Sequence, residues 1–284
     1  MKTIENIMVI GAGQMGAGIA QVCAQGGYTV YLHDKNDEAR TKGINTIDKL
    51  LERSVQKQRI SAQEKEDALK RLTLSNRLQD AEQADLIIEA VVENLQVKAS
   101  IFHELDKIAP THTLLASNTS SLPITELAAH TKRPDQVIGM HFMNPVPVMK
   151  LVEIIRGLQT SEETFQTIEQ LARNLAKTPI AVNDFPGFVS NRILMPMINE
   201  AIYTLYEGIA TVEDIDTSMK LGMNHPMGPL TLADFIGLDT CLYIMEVLHE
   251  GFADSKYRPC PLLRQYVKAG WLGKKSGKGF YNYS

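Results

Sequence analysis

This 284-residue chain has few cysteines, no long apolar run and little net charge. Each of these absences excludes a class of protein. The three cysteines, Cys23, Cys241 and Cys260, lie far apart and form no CxxC pair, which indicates a reducing compartment rather than a disulfide framework. No stretch approaches the roughly 18 uninterrupted apolar residues of a membrane span, and the short apolar run near the start leads into glycines rather than a cleavage site. These features predict a cytoplasmic protein that has no membrane segment.

The charges are nearly balanced. A formal net charge of -4 and a pI near 6.0 give no overall field that attracts a polyanion. Nucleic acid is therefore not an expected partner, no metal site is predicted, and any phosphate must be recognised by local features. With 44% hydrophobic residues, the chain has the composition of an ordinary globular protein of roughly two domains.

Short apolar strands alternate with helical stretches over the first two thirds of the chain. This alternation predicts an α/β fold with a doubly wound parallel sheet. The predicted strands cover residues 7–10, 28–33, 86–91, 114–116, 137–142, 151–155 and 179–182, and the predicted helices cover residues 15–24, 38–59, 95–108, 124–129 and 162–176.

The pattern changes at the turn DFPGF, which begins at Asp184. Beyond it the periodicity is almost wholly helical, over residues 189–207, 212–221, 230–248 and 262–268. We therefore predict a nucleotide-binding domain of residues 1–184 and an all-helical domain of residues 185–284. The aromatic residues of the glycine- and lysine-rich tail suggest that the tail is docked rather than disordered.

The first strand runs into GAGQMG, a GxGxxG motif formed by Gly11, Gly13 and Gly16 around Gln14 and Met15. Alone the motif is weak, since it also suits a plain tight turn, but here a strand precedes it and a helix follows. Gly11 permits the turn, Gly13 lets a pyrophosphate approach the backbone, and Gly16 lets the helix pack closely on the strand. The sequence therefore predicts a dinucleotide site.

Asp34 closes the second strand 23 residues after Gly11, near the spacing of about 20 residues expected for a ribose-binding acid. Its carboxylate can accept hydrogen bonds from a ribose 2′-OH but repels a 2′-phosphate. NAD is the predicted cofactor, while the nearby Lys35 and Arg40 leave NADP as the less favoured alternative.

His141 is the candidate acid/base for the proton that a hydride transfer releases. It lies near the end of the strand VIGMHF, where open α/β sheets build their sites. Glu153 lies inside the apolar strand LVEII, where a carboxylate is costly unless it is paired, so we predict that it pairs with His141, although a purely structural pair is the alternative. His225, between a proline and glycines, is the weaker rival, and solvated side chains are expected for His33, His103, His112, His130 and His249.

The sequence resembles a known family, the short-chain L-3-hydroxyacyl-CoA dehydrogenases, and within it the bacterial 3-hydroxybutyryl-CoA dehydrogenases. The resemblance covers nearly the whole chain. It rests on GAGQMGAGIAQ, VVENLQVK, LASNTSSLPIT, GMHFMNPVPVMKLVEII, DFPGFVSNRI, GMNHPMGPL and GWLGKKSGKGFYNY. It implies a Rossmann-type NAD-binding domain followed by a helical domain for substrate binding and dimerisation, and a homodimer that acts on a short-chain acyl-CoA.

The same resemblance implies roles for individual residues. His141 is similar to the catalytic acid/base and Glu153 to its orienting carboxylate, while Ser120 and Asn191 resemble the groups that hold the substrate's oxygen and thioester carbonyl. The implied cofactor contacts beyond the glycine turn are Glu93, Lys98, Asn118, Ser120, Asn144 and Lys275. From the residues alone, Ser120 and Asn191 suit helix starts equally well.

Lys49, Arg53 and Lys57 are spaced four apart, which predicts a basic stripe on one helix face. Such a stripe is usually a solvated face. The resemblance favours Arg53 and Lys57 as the residues that contact CoA. Two other functions stay open, a dehydrogenase of a free 3-hydroxy acid such as a sugar acid, and a dinucleotide-binding protein without catalysis.

Overall fold

The computed structural model describes residues 2–283, which form two compact units. The first unit ends at Phe185 and the second begins at Pro186, within the predicted turn DFPGF. Among the described residues, no helix is both long enough and apolar enough to cross a membrane.

The first unit is built on one eight-stranded sheet. Its strands are β1 (Asn6–Ile10), β2 (Thr29–His33), β3 (Leu72–Ser75), β4 (Leu86–Glu89), β5 (Leu114–Ser117), β6 (Val137–Phe142), β7 (Leu151–Arg156) and β8 (Thr178–Asn183). Its helices are α1 (Gln14–Gln25), α2 (Asp37–Gln56), α3 (Ala62–Lys70), α4 (Leu95–Ile108), α5 (Ile124–Ala128) and α6 (Glu162–Asn174). The spatial order is β3-β2-β1-β4-β5-β6-β7-β8, so the order reverses between β1 and β4, where such sheets bind nucleotides.

The inner strands form because their residues are apolar on both faces. All four residues of β4 and of β5 and all six of β6 are buried, as expected of parallel strands covered by helices on both sides. The helices add one-sided apolar faces and side-chain caps, such as Asn36 on α2 and Asn94 on α4. The predicted doubly wound α/β architecture is confirmed.

One strand pair departs from the predicted parallel arrangement. β7 lies antiparallel to β6, with His141 opposite Glu153. Only residues 143–150 join the two strands, and a parallel crossover needs a dozen or more residues. The chain must therefore turn straight back on itself.

Helix α3 and the edge strand β3 were not predicted. The helix is mostly charged, and Ala68 is its one fully buried residue. Its start nevertheless carries a capping box in which the Ser61 side chain accepts from the Glu64 N–H and the Glu64 carboxylate accepts from the Ser61 N–H.

The expectation for His33 was wrong. The ring is buried at the end of β2, and Nδ1 lies 3.1 Å from the carbonyl oxygen of Ser75 on β3. Burial lowers its pKa below the ordinary value, while the bond to Ser75 acts in the opposite direction.

The second unit is helical. It contains α7 (Ser190–Tyr206), α8 (Val212–Thr217), α9 (Pro229–Ile236), α10 (Leu238–Phe252) and α11 (Pro261–Lys268). The single helix predicted over residues 230–248 is instead two helices, because Gly237 adopts a φ of +102° that breaks the helix between them.

The tail is docked, as predicted, and its contacts are with this unit. Tyr266 of α11 contacts the rings of Trp271 and Phe280. The buried carboxylate of Asp234 accepts the backbone N–H groups of Phe280 and Tyr281, each at 2.9 Å.

Candidate active site

The glycine turn joins β1 to α1 with backbone geometry that only glycine allows. Gly11 has a φ of +102°, and a Cβ there would lie 2.6 Å from the carbonyl oxygen of Ala90. A Cβ on Gly16 would lie 1.7 Å from the Gly11 carbonyl oxygen. Glycine is therefore required at both positions for α1 to begin directly against the strand.

The start of α1 fits a dinucleotide phosphate. No side chain caps its first N–H groups, whereas Asn36, Ser61 and Asn94 cap the helices α2, α3 and α4. A Cβ on Gly13 would meet open space, so the backbone there is open to a ligand. Uncapped N–H groups at a helix N-terminus form an anion site.

Asp34 lies beside this turn at the end of β2. Its carboxylate accepts the N–H of Ala12 at 2.9 Å and the N–H of Asn36 at 3.0 Å, which fixes it at the rim of the turn. Arg40 is mostly buried and donates to the Asp34 carbonyl while pairing with Asp37. Its guanidinium is thus engaged with the protein, which favours a 2′-OH over a 2′-phosphate at Asp34.

His141 and Glu153 form a directly opposed pair across β6 and β7. Nδ1 of His141 lies 2.7 Å from Oε2 of Glu153, and the two residues are 6% and 0% exposed. Because a carboxylate can only accept, Nδ1 is the protonated nitrogen of the neutral ring and Nε2 carries the lone pair. The pair therefore has the geometry of an acid/base held in one tautomer.

Ser120 faces the other ring nitrogen. Its Oγ lies 3.0 Å from Nε2 of His141. It stands in the loop after β5 and does not cap a helix, since α5 starts at Ile124 with Pro123 at the N-cap position. The structure thus brings Ser120, His141 and Glu153 together in one hydrogen-bonded row.

Two asparagines join neighbouring elements at this edge of the sheet. Oδ1 of Asn118 accepts the N–H of Phe142 at 2.9 Å, which joins the ends of β5 and β6. Oδ1 of Asn144 accepts from Nε2 of Gln14 at 3.0 Å, which joins the loop after His141 to the start of α1. Both asparagines stay predicted cofactor contacts, and their bonds hold the end of β6 next to β5 and the following loop next to the start of α1.

The loop that carries Asn144 is also fixed by hydrogen bonds from Lys177. The Lys177 ammonium is largely buried and donates to the carbonyl oxygens of Val146, at 2.5 Å, and Met149, at 2.9 Å. Burial lowers its pKa, an effect partly opposed by the nearby Cys23. Sequence reasoning missed this residue, because nothing near Lys177 in the sequence points to a loop some 30 residues earlier.

Glu93 and Lys98 are both predicted cofactor contacts. Glu93 lies just before α4, and Lys98 lies in the first turn of that helix. The Lys98 ammonium is buried, 2.7 Å from Oε1 of Glu89 and 3.3 Å from Oε2 of Glu93. Oε1 of Glu93 accepts the N–H of Ser120 at 2.9 Å. Glu89 was also missed, although a glutamate inside the apolar strand LIIE carries the signal that identified Glu153.

The remaining predicted residues belong to helix α2 and to the second unit. Asn191 is in the first turn of α7 without being its cap, and the ammonium of Lys275 pairs with the carboxylate of Asp239. On α2, Lys49 and Arg53 are exposed, and Lys57 is at the C-cap position. His225 lies before α9, where its backbone N–H bonds the Met219 carbonyl. Within residues 2–283 no cluster of three His, Cys, Asp or Glu side chains could hold a metal ion.

These features are the ones expected of an NAD-dependent dehydrogenase, namely a doubly wound sheet, a glycine turn at its switch point, a carboxylate after β2 and a histidine oriented by a carboxylate. The family model described as "3-hydroxyacyl-CoA dehydrogenase, NAD binding domain" matches residues 6–185, and the model of that family's C-terminal domain matches residues 187–283. The chain belongs to the 3-hydroxyacyl-CoA dehydrogenase family.

Relatives match over nearly the whole length. A probable 3-hydroxybutyryl-CoA dehydrogenase of Bacillus subtilis is 64% identical, over 99% of this chain and 98% of its own. The human mitochondrial hydroxyacyl-coenzyme A dehydrogenase is 44% identical, over 99% of this chain and 91% of its own. The crystal structure of (S)-3-hydroxybutyryl-CoA dehydrogenase from Ralstonia eutropha has a TM-score of 0.97 at 52% identity, with 99% of this chain and 100% of that chain covered.

Proposed function

We propose that this protein interconverts (S)-3-hydroxybutyryl-CoA and acetoacetyl-CoA with NAD(H), and that His141 is the acid/base. The observation that carries the proposal is the row Ser120, His141 and Glu153, in which each ring nitrogen of His141 has a defined partner. The row stands near the carboxyl end of β6, on the same edge of the sheet as the glycine turn. The Bacillus subtilis and Ralstonia eutropha relatives, which match the chain over nearly its full length, carry the name of this activity.

Bound at the glycine turn and Asp34, NAD supplies the hydride acceptor for oxidation and NADH the hydride donor for reduction. Nε2 of His141 takes the proton of the C3 hydroxyl in the oxidative direction and returns it to the ketone oxygen in the reverse direction. Glu153 stabilises the imidazolium that forms, since its carboxylate accepts from Nδ1 at 2.7 Å. Ser120 and Asn191 hold the substrate's oxygen and its thioester carbonyl.

The remaining cofactor roles follow the same proposal. Asn118 and Asn144 line the cofactor site from the ends of β5 and β6. Glu93 contacts the cofactor next to Ser120, whose N–H it accepts. The Lys98 ammonium is buried and affects the cofactor site through its ion pair with Glu93. Lys275, a residue of the second unit, completes the proposed set of cofactor contacts.

The CoA end of the substrate binds the exposed basic residues of α2. Arg53 and Lys57 offer cations to the CoA phosphates, which the net negative charge of the chain does not otherwise attract. Replacing Arg53 with Ala should raise KM for acetoacetyl-CoA and leave KM for NADH unchanged. An equal effect on a substrate truncated before the phosphates would contradict this role.

The protein works as a homodimer in the cytoplasm. Support for the dimer comes from the second unit, where exposed Ile209 borders a cavity of about 440 Å³ lined by Met197, Ala201, Ile215 and other residues of α7 and α8. Sedimentation at micromolar concentration should give the mass of two chains. Support for the compartment comes from the three cysteines, which are all buried and unpaired.

The testing experiment follows NADH absorbance after acetoacetyl-CoA is added to the purified protein, with NADPH in parallel. NADH should be consumed, and His141→Ala should lower kcat by about 10²- to 10⁴-fold while NADH binding persists. His130→Ala, which changes an exposed histidine of the same unit, is the matched control and should have no effect. Consumption of NADH with a free 3-keto acid but not with acetoacetyl-CoA would replace the proposed substrate.

A further inference from the structure

A buried cluster of charges lies where β4 ends. Glu89 is 0% exposed and Lys98 is 1% exposed, and the Lys98 ammonium lies 2.7 and 3.0 Å from the two oxygens of the Glu89 carboxylate. Val91 N–H and Ser117 Oγ donate to the same carboxylate, at 2.6 and 2.7 Å. Burying two charges is costly unless every group is satisfied, and in this cluster Glu89 has four donated bonds.

Lys98 also joins this cluster to Glu93. Its ammonium is 3.3 Å from Oε2 of Glu93, and the other oxygen, Oε1, accepts from the turn of residues 119–121. The donors are the N–H of Ser120 at 2.9 Å, the N–H and Oγ of Ser121 at 3.2 and 3.1 Å, and Oγ1 of Thr119. One carboxylate oxygen therefore fixes the backbone of the turn that carries Ser120.

The same turn meets the acid/base. Oγ of Ser120 is 3.0 Å from Nε2 of His141, the nitrogen that exchanges a proton with the substrate under the proposed function. Hydrogen bonds and ion pairs thus run without a break from Glu89 through Lys98, Glu93 and Ser120 to His141.

We propose that Glu89 and Lys98 are positioning residues for the proton transfer, which they serve by fixing Glu93 and, through it, Ser120 against His141. This inference rests on the proposed function. Neither residue needs to touch the substrate, because displacement of a reacting group by about 1 Å is enough to cost ~100-fold in rate. The buried cluster accordingly sets the geometry at Nε2 from the interior of the sheet.

Helix α4 offers a matched control for a purely structural role. Near its other end, Asp106 forms a second buried ion pair, with Nε of Arg133 at 2.9 Å from Oδ1 and the Lys132 N–H at 3.0 Å from Oδ2. This pair fastens the same helix to the segment before β6. A loss of helix docking alone would act equally through either pair.

The experiment measures kcat, both KM values and the melting temperature of the full-length protein with acetoacetyl-CoA and NADH. Glu89→Gln should lower kcat by about 10- to 100-fold with little change in KM for acetoacetyl-CoA, since a small displacement of Ser120 acts on the reacting step. Asp106→Asn should lower the melting temperature while kcat stays at the wild-type value. Equal losses of kcat in the two variants would overturn the positioning role.

A double variant separates position from stability. Glu89→Gln combined with Lys98→Met removes both buried charges, and neutral replacement of a buried pair is often tolerated by a fold. The double variant should melt near the wild-type temperature and still be slow, because Glu93 has lost its cation. A stable double variant with wild-type kcat would refute the inference.

A double-mutant cycle tests the route through Ser120. If Glu89 acts through Ser120, Glu89→Gln should cause no further loss of kcat in a Ser120→Ala background. Losses of kcat that multiply fully in the double variant would refute this route. The wild type tests the proposed function separately. An active wild type with insensitive variants overturns the positioning role alone, and a wild type that does not consume NADH overturns both.

Discussion

Glu153→Gln is the sharpest single test of the proposed acid/base. The carboxylate is fully buried and accepts from Nδ1 of His141 at 2.7 Å, the length of a charge-assisted bond. Such a bond contributes about 1.5–3 kcal/mol, which corresponds to roughly 10- to 150-fold in rate if it is strongest when the ring is charged. Glutamine is nearly isosteric, so the fold should tolerate the change.

The actual loss should exceed this bond energy. A glutamine amide can donate to Nδ1, which moves the ring proton to Nε2 and removes the lone pair that accepts the substrate's proton. The analogous Asp-to-Asn change in a serine protease costs about 10⁴-fold. We therefore expect kcat to fall by between about 10² and 10⁴, with KM for NADH nearly unchanged.

The assay follows NADH absorbance with acetoacetyl-CoA at neutral pH and gives kcat and both KM values. Glu153→Asp keeps the charge at a greater distance from the ring and should have an intermediate kcat. Wild-type kcat in Glu153→Gln would refute the assignment of Glu153.

Three further outcomes are expected. Gly16→Ala should abolish NADH binding and lower stability by about 1–3 kcal/mol in thermal melts, because the new methyl would overlap the Gly11 carbonyl. Asp34→Ala should raise kcat/KM with NADPH relative to NADH, and an unchanged ratio would remove Asp34 from cofactor choice. As pH falls below 6.5, the unfolded chain binds a proton at His33 before the folded protein, since burial lowers the folded-state pKa. The free energy of unfolding should therefore drop more between pH 7 and 5 in wild type than in His33→Asn, whose amide can still donate to Ser75, and parallel curves would contradict this reasoning.

The sequence was sufficient for the central sheet because its strands are strongly apolar. Strands such as β4, LIIE, and β6, VIGMHF, are buried on both faces and stand out from the polar segments around them. The edge strand β3 did not stand out, since Thr73 and Leu74 are exposed and the strand has four residues. The break at Gly237 was missed because a single glycine within an apolar helical pattern is often tolerated.

The predicted partner of His141 followed from one physical argument, the cost of a carboxylate in an apolar strand. That argument identified Glu153, and it applies equally to Glu89 in LIIE, whose partner Lys98 is nine residues away. Whether two residues at such a separation in the sequence form a pair depends on how the chain folds back between the strand and the helix. Sequence spacing alone does not predict this. The roles of Asn191 and Lys275 depend on the second unit and stay predictions.

The location of the site follows from unequal strand lengths on the two sides of β6. β5 pairs with β6 only as far as Ser117 opposite Gly139, so at the level of His141 the chain on that side has already become the loop that carries Ser120. On the other side β7 is still paired, and its antiparallel register places Glu153 directly opposite His141. A shift of one residue would put Glu153 on the opposite face of the sheet. The ring thus has a fixed carboxylate on the side of the paired strand, and its Nε2 meets Ser120 on the side where the strand has ended.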